Sequence, residues 1–137
     1  MSTPRSIIFI GNFVQDTVVT HDGQKSYAMG GSVTYGPLAA EALIFNNSSV
    51  NNNNSNNIHI DVLSCLSSDD LTPENASFLQ QRFGSLKPVA DKVQQNHISL
   101  HIKPAHATTA YKLVYDQYHT RTLTLHEQGA PITFEFV

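Results

Sequence analysis

The sequence predicts an α/β fold built around a parallel sheet, and three observations carry that prediction. Ile7-Ile-Phe-Ile10 is a continuous apolar run, too short for a helix and rich in β-branched residues. Such a run reads as a strand buried on both faces, the habit of parallel sheets. Ile58-His-Ile-Asp-Val-Leu-Ser-Cys-Leu66 is a second buried strand, with helical spacing on either side of it. Between them the Asp22-Gly23 pair marks a hairpin.

The chain has 137 residues, about one domain, and at that length a real core is attainable. Its formal charge is −3 with no basic block, which argues against nucleic acid as a partner. The single cysteine, Cys65, excludes an intrachain disulfide and a multi-cysteine metal site, and its apolar setting reads as a buried small side chain. No apolar run is long enough to span a membrane. The apolar residues after Ser6 are too few for a signal-peptide core, so a cytoplasmic location is the expectation.

Taken in order, the first strand ends at Gly11-Asn12. Phe13 to Thr20 is β-rich and is interrupted by Gln15 and Asp16. The turn at His21–Gln24 returns the chain along Lys25 to Met29, so a hairpin precedes the first helix. In a plain dinucleotide-binding unit the glycine turn follows the first strand at once. Gly30-Gly31 then leads into an Ala-rich helix from about Val33 to Phe45, with Ser32 as its expected N-cap. Asn46 to Asn57 is a low-complexity tract with almost nothing to bury, read as a disordered surface insertion. After the Ile58–Leu66 strand, Ser67–Asp70 forms a loop. Thr72-Pro73 opens a helix with Phe78, Leu79 and Phe83 on one face, and Gly84 closes it. A short helix over Pro88–Gln95 and an alternating strand over His97–Lys103 follow. Thr108–Tyr115 and Arg121–Glu127 are two further strands joined by a hairpin loop at Asp116–Thr120. Gly129–Ile132 is a turn.

The residues offer few chemical constellations. His97 and His101 share a strand face but stand roughly 13 Å apart at about 3.3 Å per residue, too far for one ion, so no metal site is expected. Asp69-Asp70 reads as a solvated loop pair, with a cation as the alternative. There is no P-loop, nucleophile elbow or paired catalytic carboxylate. Two features remain open. Gly30-Gly31 is either a simple strand-turn-helix joint or a place where backbone approaches an oxygen-rich ligand at a helix start. Asp16 is either an exposed carboxylate near a hairpin or a hydroxyl acceptor that converges with Asn12 and the glycine turn beyond the end of the first strand.

The order of pieces resembles the amino-terminal half of the ribokinase-like, pfkB-type carbohydrate kinases. The resemblance rests on Ile7 to Asn12, on Asp16 and its hairpin, and on Gly30-Gly31-Ser32 with the Ala-rich helix. It continues in Ser67–Asp70, in Thr108-Thr-Ala-Tyr-Lys-Leu113, and in Thr120-Arg-Thr-Leu-Thr-Leu125. The Gly11-Asn12 opening and Gly129-Ala-Pro-Ile132 look most like the inositol kinase branch. The resemblance covers nearly all the chain except the Asn tract.

It implies an incomplete Rossmann-like, three-layer α/β sandwich with a small β-sheet lid. Residues 1–12 and 30–107 would form the partial core and 13–29 with 108–128 the lid. Residues 129–137 would start a carboxyl-terminal half. It implies that Asp16, Gly30 and Gly31, with Asn12, bind the hydroxyls of a sugar or polyol. ATP and Mg would be the cofactors of the complete enzyme, and none is assignable within this chain. A homodimer through the lid is the implied association. The family's Gly-Ala-Gly-Asp-type motif, which supplies the anion hole and catalytic base, does not occur in these residues. The expectation is therefore a sugar or polyol kinase segment that is inactive alone. The alternative is a non-catalytic sugar-binding or dimerisation module.

Overall fold

The computed structural model describes residues 3, 5–45, 58–84 and 97–132. The Asn-rich tract, the helix expected over Pro88–Gln95 and residues 133–137 lie outside the described residues. The elements run β1 (Arg5–Ile10), β2 (Val14–Val19), β3 (Lys25–Gly30), α1 (Ser32–Phe45), β4 (Ile58–Leu66), α2 (Pro73–Phe83), β5 (Ile98–Pro104), β6 (Thr109–Tyr115) and β7 (Arg121–Glu127).

They make two sheets. The first has three parallel strands in the order β1-β4-β5, with Ile7 opposite Ile60 and Ile60 opposite Ile98. The second has four strands in the order β3-β2-β6-β7, antiparallel except for the parallel pair β2 and β6. The expected parallel sheet and both hairpins are therefore present. One face of the parallel sheet carries Ile60, Val62 and Ile98 into a core shared with Val33 of α1 and with Leu79 and Phe83 of α2. Helix α1 lies so close to β1 that a Cβ on Gly36 would come within 2.7 Å of the Phe9 ring. Helix α2 begins as its sequence requires. Thr72 accepts from the Asn75 N–H at 3.3 Å, Pro73 opens the first turn, and Gly84 closes the helix at φ 86°.

Two expectations are corrected. Strand β1 pairs in parallel as predicted but is not buried on both faces: Ile8 is 57% and Ile10 55% exposed. Among the described residues it is an edge strand, and both helices pack on the opposite face of its sheet. Ser32 is not a cap but the first residue of α1. The Gly31 carbonyl already accepts from the Thr34 N–H at 3.1 Å, and the Thr34 hydroxyl donates to the Gly30 carbonyl at 2.6 Å. The Tyr35 hydroxyl adds a bond to the Met29 carbonyl at 2.8 Å, so three bonds tie the end of β3 to the start of α1.

Cys65 is buried, as expected. Among the described residues no helix is long and apolar enough to cross a membrane.

Candidate functional site

The crossing from the parallel sheet to the four-stranded sheet is held at every step. Gly11 continues the β1–β4 ladder by donating to the Leu63 carbonyl at 3.2 Å. The Phe13 N–H donates to the Ser64 hydroxyl at 3.3 Å, and its fully buried ring meets Phe83 edge-on at 5.7 Å. Gln15, one residue into β2, is buried with every polar side-chain atom engaged. Its Oε1 accepts from the Thr72 N–H at 3.0 Å and the Asn75 amide at 3.1 Å, and its Nε2 donates to the Asp70 carbonyl at 3.0 Å.

Asp70 also holds the second parallel strand. Its carboxylate accepts from the Thr108 N–H at 2.7 Å, just before β6, and the Thr108 hydroxyl exchanges bonds with the Ser67 backbone at 3.0 Å. Asp70 is thus not a free loop carboxylate; it clasps both β2 and β6 to the loop after β4. Replacing Gln15 with leucine is expected to cost about 2 kcal/mol, because it strands the Asn75 amide and two backbone groups in a buried place. Urea unfolding checks this; a loss within a few tenths of a kcal/mol would mean water replaces those bonds.

With Gln15 turned toward α2, strand alternation turns Asp16 to the other face. There Asp16 lies over the turn before α1: a Cβ on Gly30 would come within 2.5 Å of its carboxylate. Gly31 takes φ +92°, and a Cβ there would overlap the Asn12 carbonyl oxygen. The sequence-predicted residues Asn12, Asp16, Gly30 and Gly31 are thus neighbours where β1 hands over to β2 and β3 to α1. Gly31 permits a close backbone approach and Gly30 leaves room for the Asp16 carboxylate, which favours neither open reading of the turn by itself.

Two polar groups decide what such a place can bind. The Asn12 Oδ1 is buried with no hydrogen-bond partner among the described residues. The Asp16 carboxylate has no hydrogen-bond or ion-pair partner among them either, and burial raises its pKa above the usual 3.8. An acceptor stripped of water without a donor is costly, and a ligand that donates relieves the cost. Neighbouring acceptors therefore suit a molecule with several hydroxyls.

The raised pKa has a testable consequence. A carboxyl group whose pKa is higher folded than unfolded holds its proton more tightly when folded, so ionisation disfavours folding. That penalty is absent below the ordinary value of 3.8, grows as pH rises through the folded value, and stays constant above it. Asp16→Asn is expected to be more stable than the parent near neutral pH, with the gain vanishing in acid. Denaturant midpoints across about pH 3 to 8 measure it; a gain independent of pH would rule out ionisation as its source.

Nothing among the described residues assigns an ATP or Mg²⁺ position. No three His, Cys, Asp or Glu side chains converge on a cation position among the described residues. His101 and His59 instead approach the Asp61 carboxylate at 2.8 and 3.5 Å, on β4 and β5, away from this site.

Fold and site together define an α/β chain in which a parallel sheet and a mixed sheet meet at one polar junction. No protein-family model matches the chain, and no curated protein matches it in sequence. Solved structures do match. A pyrophosphate-dependent kinase in the ribokinase family, in complex with sulfate, superposes with a TM-score of 0.61 at 20% identity, over 94% of this chain and 36% of its own. A structure of such a kinase with a pyrophosphate analog and myo-inositol gives 0.57 at 19%, over 94% and 34%. Ribokinase from Giardia lamblia gives 0.56 at 13%, over 94% and 37%. The chain therefore has a ribokinase-like α/β fold, and it spans about a third of the length of these solved chains.

Proposed function

We propose that this chain is the acceptor-binding part of a pfkB-type kinase that phosphorylates a hydroxyl of a sugar or polyol. The observation that carries the proposal is the pair of unpartnered acceptors, Asp16 and Asn12 Oδ1, beside the Gly30-Gly31 turn. Asp16 would accept from substrate hydroxyls, the backbone at Gly30 and Gly31 would allow close approach, and Asn12 would take a further hydroxyl. The four-stranded sheet would act as a lid over the bound molecule.

Phosphoryl transfer needs a donor, an anion hole and a base placed against the acceptor hydroxyl. In this reading these residues supply orientation and exclusion of water, and none of them is assigned as donor site, anion hole or base. ATP with Mg²⁺ is the donor that the sequence resemblance implies. Two of the similar structures are described as pyrophosphate-dependent, which makes pyrophosphate a second donor to test. Cyclic polyols are the first acceptors to try, since one of those structures holds myo-inositol.

Calorimetry with myo-inositol and ribose on the full chain tests the reading. Weak binding is expected, with a large loss in Asp16→Asn and no turnover of either donor by the chain alone. Binding unchanged in that variant would remove Asp16 as a ligand.

A second reading is a non-catalytic module that pairs through the four-stranded sheet. Leu123 and Leu125 of β7 favour it, being 54% and 50% exposed on an edge strand. A strictly monomeric species at high concentration in analytical ultracentrifugation would eliminate it.

A further inference from the structure

The strand register gives Asp16 an aromatic neighbour that the sequence did not single out. Asp16 stands opposite Ala28 on β3 and Tyr111 on β6, and Tyr111 stands opposite Leu125 on β7. Residues directly opposite share a face, about 4.8 Å apart from strand to strand. The row across the sheet therefore reads alanine, carboxylate, aromatic, aliphatic. The next row on that face is Ser26, Val18, Leu113 and Leu123. Asp16 is the single carboxylate in these two rows, and its partial burial among them disfavours its charged form. Tyr111 is only partly buried, so part of its ring stays open to a ligand.

We propose that Tyr111, backed by Leu125, is the wall on which the C–H face of a cyclic polyol or sugar ring lies while Asp16 takes hydroxyls from the ring edge. This rests on the polyol-binding reading above and narrows its substrate class. A six-membered ring with its hydroxyls around the rim has a flat C–H face and a polar edge. A carboxylate one strand from an aromatic ring meets both at once. The aromatic face gains by covering C–H surface. A linear polyol offers no flat face and loses more torsional freedom on binding. Ala28 on the other side of Asp16 is too small to close that flank. The face therefore selects rings over open chains.

The experiment is calorimetry on the full chain with myo-inositol as the cyclic probe and mannitol as the linear one. The parent chain is expected to prefer the ring. Tyr111→Ala is expected to weaken the ring on the order of tenfold and leave the linear probe nearly unchanged, erasing the preference. Tyr111→Phe is expected to retain it, since the hydroxyl is not what stacks. Saturation-transfer NMR on the parent chain, irradiating aromatic protons, should mark the ring C–H protons of myo-inositol; this arm stands even if Tyr111→Ala fails to fold.

Loss in Asp16→Asn with an unaltered ring preference in Tyr111→Ala would overturn the role of Tyr111 and leave the site reading intact. Absence of aromatic transfer to a bound ring would do the same. Binding indifferent to Asp16→Asn, or no binding of either probe, would overturn the site reading and this inference with it.

Discussion

Phe13→Ala is expected to cost about 3–5 kcal/mol of folding stability. The ring is 0% exposed, edge-on to Phe83, and belongs to the core cluster of Ile60, Val62 and Leu79. Deleting it removes the transfer free energy of the ring and leaves a cavity between the two sheets. A loss of that size is a large share of the roughly 5–15 kcal/mol that usually separates folded from unfolded domains. The consequence reaches the site, because Phe13 precedes Val14, Gln15 and Asp16 on one short segment. Loosening its anchor frees the start of β2. Denaturant unfolding measures the stability, and hydrogen exchange at the β2 amides should rise with it. A loss below about 1 kcal/mol would mean that the core closes over the space.

Gly31→Ala is expected to cost about 3 kcal/mol or more. Two penalties add there. An L-residue at φ +92° is strained by about 1–2 kcal/mol. The new Cβ also overlaps the Asn12 carbonyl, a backbone atom that cannot swing aside as a side chain would. Either α1 or the β1–β2 crossing has to move, and both carry the candidate site. Circular dichroism melting should show the loss, and myo-inositol affinity should fall in the protein that still folds. Gly23 provides the contrast: it has φ +83° but open space around it, so alanine there should cost only the strain. Equal losses at Gly31 and Gly23 would show that strain alone, not the approach to Asn12, makes the turn intolerant of a side chain.

The readable part of this protein was the part written in local signals. Asp22-Gly23 makes a hairpin wherever β-rich runs flank it, and Thr72-Pro73 with Gly84 bounds a helix whatever packs beside it. Asp16 was visible because a carboxylate breaking an apolar run is a local anomaly, and the paired glycines were visible for the same reason. The clasp residues were not. Gln15 meets Asp70 across 55 positions and Asn75 across 60, while Asp70 meets Thr108 across 38. Nothing in a polar residue's neighbours along the chain says which distant backbone group it will satisfy. Tyr111 was one residue of an ordinary strand until the β2–β6 register set it beside Asp16. The exposure of Ile8 and Ile10 escaped for a related reason: an apolar run encodes a preference for burial, not the presence of a layer to bury it.

The sequence by itself determined the α/β class, the strand and helix order, the hairpin before α1, and the candidate quartet Asn12, Asp16, Gly30 and Gly31. Only the tertiary structure decided that the quartet meets at one junction, that Asp70 clasps β2 and β6, and that Asp16 stands unpartnered beside an aromatic ring. Local elements follow from backbone and side-chain preferences over a few residues. Long-range hydrogen bonds and strand register depend on how two sheets dock, which is a property of the folded chain as a whole.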